Sequence, residues 1–252
     1  MWKRFFVWKL PLTAALLAAV VFGFGFFSVV RGSAGHAISV PVAPLAEPRS
    51  TGKLNITIVG DSLARGTGDQ TGLGIGGNLS AMLEKRKIPL DQTVNLAVNG
   101  AKTGDLLRTL QSRNVQQILA ESNIIVVSIG GNDLFGDVSS LDGPPKNPEE
   151  ILDRVSDRVR DIVKEIRSDS PQARVFLIGL YNPFIDSPWG AQSNALVNRW
   201  NAKLVEDFQD DRNLTVVQTS DIFSHRHRLS LDRFHPGTEG YQIISERIAE
   251  SL

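Results

Sequence analysis

Asn123-Ile124-Ile125-Val126-Val127-Ser128-Ile129-Gly130 is the stretch on which the fold turns. Its apolar residues run almost without interruption and stop at a glycine pair, the pattern of a short strand covered on both faces. Strands covered on both faces belong to parallel sheets with helices packed on each side. Working outward, further strands are predicted at Leu54 to Gly60, Thr93 to Val98, Arg174 to Leu180 and Leu214 to Gln218, alternating with amphipathic segments. The clearest helix opens at Asn147-Pro148-Glu149-Glu150, with an N-cap residue, a proline at the first helical position and two acids in the first turn. It continues with Ile151, Val155, Val159, Ile162, Val163 and Ile166 on one face, and with Asp153, Arg154, Asp157, Arg158, Asp161 and Lys164 on a solvated one. Other helices fit Asn78 to Lys87, Thr103 to Ala120, Gly190 to Gln209 and Thr238 to the C-terminus. The chain reads as one α/β domain over residues 54–252.

The 252 residues carry 27 basic and 27 acidic side chains, so no net field favours nucleic acid, and no nucleic-acid partner is expected. There is no cysteine, which excludes disulfides, thiolate nucleophiles and cysteine-ligated zinc. Lys3, Arg4 and Lys9 precede 21 uncharged positions from Leu10 to Val30. As a helix these would span roughly 31 Å, about one bilayer core. The basic flank puts the N-terminus in the cytoplasm and the remainder outside. Residues 1–31 are therefore expected to form a membrane anchor, with cleavage near Gly35 and Ala37 as the alternative. Residues 32–53, with Pro41, Pro44 and Pro48, read as a spacer.

In open parallel sheets, sites form beyond the carboxyl ends of the strands. Here those ends read Gly60-Asp61-Ser62-Leu63, Asn99-Gly100-Ala101 and Gly130-Gly131-Asn132-Asp133, and Asp232-Arg233-Phe234-His235 precedes the last helix. A serine hydroxyl needs a base, and the base needs an orienting acid, which a carboxylate and imidazole three positions apart can supply. An oxyanion needs donors, and the N–H groups of Ser62 and Gly100 with the Asn132 amide offer three. Each block alone has an ordinary reading: a helix cap for Asp61-Ser62, a strand end for Gly100, a turn cap for Asn132-Asp133.

Taken in order, the four blocks resemble those of the SGNH/GDSL hydrolase family over residues 54–252. The resemblance implies a flavodoxin-like three-layer α/β/α sandwich with five parallel strands in the order 2-1-3-4-5, and hydrolysis of esters or thioesters. It makes Ser62 the nucleophile, His235 the base, Asp232 its orienting acid, and Gly100 and Asn132 oxyanion donors beside the Ser62 N–H. It implies no metal and no organic cofactor. The run Gly60 to Asp69 is further similar to a membrane-anchored lipase/acylhydrolase branch of Gram-positive bacteria. An anchored enzyme would meet lipid or envelope esters, so a lysophospholipid or lipid-like acyl ester leads as substrate. An O-acetyl esterase of envelope polysaccharide and a non-catalytic binding module of the same fold are the alternatives.

Several other features are assigned lesser roles. Gly72, Gly74, Gly76 and Gly77 lack the Lys-Ser/Thr of a phosphate-binding loop and are expected to form a flexible loop beside the site. His225 and His227 lack a carboxylate motif for a metal. Tyr181-Asn182-Pro183-Phe184 is a candidate wall of an acyl pocket, and Phe135 to Asn147 a candidate covering loop.

Overall fold

The computed structural model describes residues 52–136 and 147–252. The expected membrane segment 10–30, almost all of the spacer and most of the expected covering loop lie outside the described residues. Among the described residues no helix is long and apolar enough to cross a membrane.

Five strands form one sheet in the order β2-β1-β3-β4-β5: β1 Leu54–Gly60, β2 Leu90–Asn95, β3 Ile124–Ser128, β4 Arg174–Ile178 and β5 Leu214–Val217. All four pairings are parallel. β3 is central and all five of its residues are buried, as its unbroken apolar run requires. Side chains alternate between two cores. Ile56, Ile58, Ile124, Val126, Phe176 and Ile178 face one side, and Val59, Ile125, Val127, Val175 and Leu177 the other.

Helices α1 (Ser62–Arg65), α2 (Gly74–Lys85) and α8 (Thr238–Glu250) cover the first face. The second is covered by α3 (Thr103–Leu110), α4 (Arg113–Ala120), α5 (Gly131–Phe135), α6 (Pro148–Asp169) and α7 (Gly190–Phe208). Such two-sided cover is what a sheet without a polar face needs. Trp200 of α7 is fully buried there, and its ring closes against the backbone at Gly130.

Some expected boundaries shift for identifiable reasons. β2 starts at Leu90 rather than Thr93, because an edge strand exposed along most of its length tolerates Asp91 and Gln92. The backbone still pairs beyond its end, with Leu96 N–H donating to Ile58 and Val98 N–H to Gly60. The helix expected over Thr103 to Ala120 is two: Ser112 leaves helical geometry (φ −71°, ψ 129°), and each half keeps its own apolar residues inward. The glycines at 74, 76 and 77 lie in α2 rather than in a flexible loop, and only Gly72 stays outside it. Tertiary packing overrides propensity here, since a Cβ at Gly76 would sit 2.8 Å from Ile58 Cδ1. α6 begins at Pro148 as expected, but the Asn147 side chain makes no capping bond to the backbone and donates instead to Glu150 Oε2 at 3.3 Å.

Candidate active site

Each block of residues arrives at the carboxyl edge for a local reason. At the end of β1, Gly60 adopts φ +132°, and a Cβ there would lie 1.8 Å from the Ser128 carbonyl. Only glycine lets β1 cross this close to β3 before turning. Asp61 then caps α1, its Oδ1 accepting from Leu63 N–H at 3.1 Å and from Ser128 Oγ at 3.1 Å. Ser62 is thereby the first residue of α1, a position whose N–H has no acceptor inside the helix.

The segment before α8 holds two more groups. An antiparallel bridge between Leu229 and Pro236, with Ser230 N–H donating to His235 O at 2.8 Å, closes it into a compact turn. Within this turn His235 Nδ1 lies 2.7 Å from Asp232 Oδ2, and His235 Nε2 lies 2.8 Å from Ser62 Oγ. Ser62, His235 and Asp232 therefore form one unbroken hydrogen-bonded line. Partial burial alone would raise the Asp232 carboxyl, but hydrogen bonds from Ser230 Oγ, the His235 ring, and the Phe234 and His235 N–H groups hold it down at about 2. Burial pushes the neighbouring Asp61 carboxyl the other way, to about 6, against the hydrogen bonds it accepts.

The other two expected residues stand differently. Asn132, in α5, lines the cleft that contains Ser62 and His235, and its Nδ2 donates one of its two hydrogens to Ala101 O at 2.9 Å. Gly100 is exposed, with φ +76°, in the turn after β2. It lines an adjoining cleft with Gly60, Val98 and Asn99 rather than the one around Ser62, and its N–H donates to no acceptor among the described residues. Thr67 Oγ1 ties that turn to the chain after α1 through Asn99 Oδ1 at 3.0 Å.

The Ser62 cleft, open to solvent, is walled by Leu63, Phe135, Leu180, Tyr181, Pro183 and Phe234. Tyr181 is thus in the wall, with its hydroxyl donating to Phe234 O at 2.6 Å. Phe184 stands behind it, its ring 5.1 Å from Phe135 and 5.8 Å from Phe234. His225 joins two short 3₁₀ turns and His227 lies in the second, ring centroids 5.8 Å apart, with His227 Nε2 3.6 Å from Glu239. They lie outside the cleft lining.

Two positions have structural roles that the sequence does not show. Asp133 belongs to the third block and has a turn cap as its ordinary reading, but its carboxylate joins two of the site turns. Gly68 (φ +94°) passes so close that a Cβ would lie 2.8 Å from His235 Cβ and 2.7 Å from Pro236 O. Its place between Ser62 and the first full helix was visible in the sequence, but its neighbour 167 positions away was not.

Comparison with known proteins gives a consistent result. The model of the GDSL-like Lipase/Acylhydrolase family matches residues 58–243. The chain is 28% identical over 214 residues to the uncharacterized protein YpmR of Bacillus subtilis (strain 168), covering 82% of this chain and 84% of that one. It is 27% identical over 212 residues to the spore germination lipase LipC of Bacillus licheniformis, covering 77% and 94%. Its fold is similar to that of the lipase Lip_vut3 from a goat rumen metagenome, at TM-score 0.67 and 23% identity, over 79% of this chain and 97% of that one. The match takes in the Ser62, Asn132 and Asp232–His235 segments together, and the chain belongs to the GDSL-like lipase/acylhydrolase family as a carboxylic ester hydrolase.

Proposed function

We propose that the protein is an extracytoplasmic serine esterase acting on lipid-like acyl esters. The observation that carries this reading is the line from Asp232 Oδ2 through His235 to Ser62 Oγ, with 2.7 and 2.8 Å links. In the first step Ser62 Oγ attacks the ester carbonyl while His235 Nε2 takes the hydroxyl proton. Asp232, charged and already bonded to Nδ1, fixes the tautomer that leaves Nε2 free and stabilises the imidazolium. The tetrahedral oxyanion is received by the Ser62 N–H and the second hydrogen of Asn132 Nδ2, with the Gly100 N–H, which has no acceptor among the described residues, as the expected third donor. Collapse returns the proton from His235 to the leaving alkoxide and leaves an acyl ester on Ser62. Water, deprotonated by the same histidine, then releases the acid and restores the serine.

The apolar wall of the cleft supports a hydrocarbon acyl group, as does the similarity to a relative named a lipase. The uncharged stretch from Leu10 to Val30, behind Lys3, Arg4 and Lys9, supports an anchor with the catalytic domain outside the cytoplasm. Hydrolysis of p-nitrophenyl esters from acetyl to palmitoyl by the full-length chain in detergent, beside Ser62→Ala, tests the reading. Turnover of medium or long chains that vanishes in Ser62→Ala is the expected result. A preference for acetyl would replace the lipid substrate with an O-acetyl ester, and turnover surviving in Ser62→Ala would remove the serine mechanism.

A further inference from the structure

The turn that carries His235 is closed within itself. Leu229 bridges Pro236, and Asp232 Oδ1 accepts from the Phe234 and His235 N–H groups at 2.8 and 2.9 Å. Asp232 and His235 therefore keep their mutual geometry if the turn shifts as a unit. The 2.8 Å separation of His235 Nε2 from Ser62 Oγ, by contrast, joins segments 173 positions apart and must be set from outside the turn. The segment that follows α1 is placed to set it. Thr67 N–H donates to Ser62 O at 3.0 Å, so this segment is bonded directly to the residue that bears the hydroxyl. Three consecutive residues of the segment then meet the chain around His235. Thr67 O accepts from the Tyr241 hydroxyl at 2.7 Å, Gly68 passes against His235 and Pro236, and Asp69 Oδ1 accepts from Thr238 Oγ1 at 2.7 Å.

Asp69 is built into this junction as an anion. Its Oδ2 accepts from Gly74 N–H at 2.8 Å and its Oδ1 from Thr71 N–H at 3.0 Å, with the Thr71 hydroxyl 2.9 Å from both oxygens. Gly74 and Thr238 are the first residues of α2 and α8, helices that make no side-chain capping bond at their own N-caps. One carboxylate thus stands at the amino ends of two helices that pack on each other, where the backbone dipoles favour negative charge. Partial burial alone would raise the Asp69 carboxyl, but hydrogen bonds from Thr238 and from the Thr71 and Gly74 N–H groups hold it below the ordinary carboxylate range. Thr238 and Gly74 bond to different oxygens of Asp69, and an amide in its place has only one. Gln70 Oε1 also lies 2.8 Å from Thr238 Oγ1, but the hydroxyl has a single hydrogen and the charged acceptor makes the stronger bond.

We propose that Asp69 is a positioning residue for the reaction: through Thr238 it fixes the turn bearing His235 against the segment bonded to Ser62, and so holds His235 Nε2 within reach of Ser62 Oγ. Its own bonds run to Thr71, Gly74 and Thr238 rather than to the reacting atoms, so it acts through the backbone that carries them. The inference deepens the serine mechanism proposed above and rests on it for the role of His235 as base.

The test measures kcat, KM and melting point for the full-length chain in detergent, with p-nitrophenyl butyrate as substrate and Ser62→Ala alongside. Thr238→Val removes the hydroxyl at nearly constant volume, whereas Thr238→Ser keeps it. Positioning requires kcat of Thr238→Val to fall roughly ten- to hundredfold, the scale of a reacting group displaced by up to an ångström. KM and the melting point should stay close to those of the parent, and Thr238→Ser should return kcat to the parent level. Asp69→Asn should lower kcat by a similar factor, and the double variant Asp69→Asn/Thr238→Val should be little slower than either single one, because both remove the same link. If Asp69→Asn does not fold, the Thr238 pair decides alone. Parental kcat in Thr238→Val, a change confined to KM, a loss that Thr238→Ser does not restore, or losses that multiply in the double variant overturn the inference. A fall in Gln70→Ala as large as that in Asp69→Asn also overturns it, by moving the link to Gln70. Turnover that survives in Ser62→Ala removes the mechanism and the inference together, whereas turnover lost in Ser62→Ala but kept in Thr238→Val removes the inference alone.

Discussion

The carboxylate of Asp133 holds Thr103 twice, taking its N–H at 2.9 Å and its hydroxyl at 2.7 Å, with Arg158 3.7 Å away on α6. One residue earlier, Asn132 donates to Ala101 O at 2.9 Å. The turn after β3 and the turn after β2 are thus fastened at two adjacent points, and the two expected side-chain and backbone oxyanion donors, Asn132 and Gly100, are placed by the same clasp. Asn132→Ala should lower kcat by about 10²- to 10³-fold with little change in KM, the usual cost of losing one preorganised donor. Steady-state kinetics on a soluble ester check this, and a loss confined to KM would remove Asn132 from the oxyanion site.

Hydrogen bonds hold the Asp232 carboxyl at about 2, so at neutral pH it is charged and bonded to the His235 ring, as the proposed orienting role requires. Asp232→Asn should reduce kcat by about 10⁴-fold while the circular dichroism spectrum and melting point stay close to those of the parent. Near-parental activity would mean that Ser230 and the backbone alone suffice to set the imidazole. The low value also means that any acid limb of the kcat profile between pH 4 and 7 does not report this carboxylate.

Gly68 lies against the turn that carries His235, with both a left-handed φ and no room for a Cβ. Gly68→Ala should displace His235 from Ser62 by a fraction of an ångström to an ångström, and a misplacement of that size costs about 10²-fold in rate. Expected is a large fall in kcat with a modest loss of stability. Crystallography or the pH profile of the variant would show whether the imidazole has moved.

Asp61 gives a stability prediction with a definite sign. Its carboxyl titrates at about 6 in the fold against an ordinary 3.8, so between those values the folded protein retains a proton that the unfolded chain has released. Stability contributed by this group is lost as pH rises through that window, reaching a cost of about 3 kcal/mol above pH 6. Asp61→Asn keeps an acceptor oxygen for Leu63 and Ser128 and carries no charge. It should melt several degrees above the parent at pH 7.5 and within error of it at pH 4. Equal melting points at both pH values would show that the buried charge is not what limits stability.

For the N-terminal segment, the full-length chain should stay in the membrane fraction after carbonate washing. Release at a mass lacking residues 1–37 would establish cleavage instead.

The parts legible in the sequence are those whose cause is local. β1 has the limits its apolar run implies, and β3 is recognisable because its short β-branched run, Ile124 to Val127, stops at a glycine pair, as a doubly covered strand does. Ser62, Asn132, Asp232 and His235 all sit at turns where strand ends and short connections announce them. What stayed hidden depends on distant neighbours. Gly76 is helical because Ile58 and Thr93 press on it, and the β2 edge tolerates polar residues because solvent lies beside it. The separation of Gly100 from the main cleft likewise depends on how β2 seats against β1, which no residue of the turn encodes alone.

The 173 positions between Ser62 and His235 set a timing for the chemistry. A chain emerging from the ribosome carries Ser62 early and His235 only near the end, and the turn holding His235 is secured by α8 packing against α2. If the proposed mechanism holds, an incomplete product of translation lacks the base that activates its serine. The ester hydrolase then stays inert throughout synthesis and becomes active only after the last segment has folded.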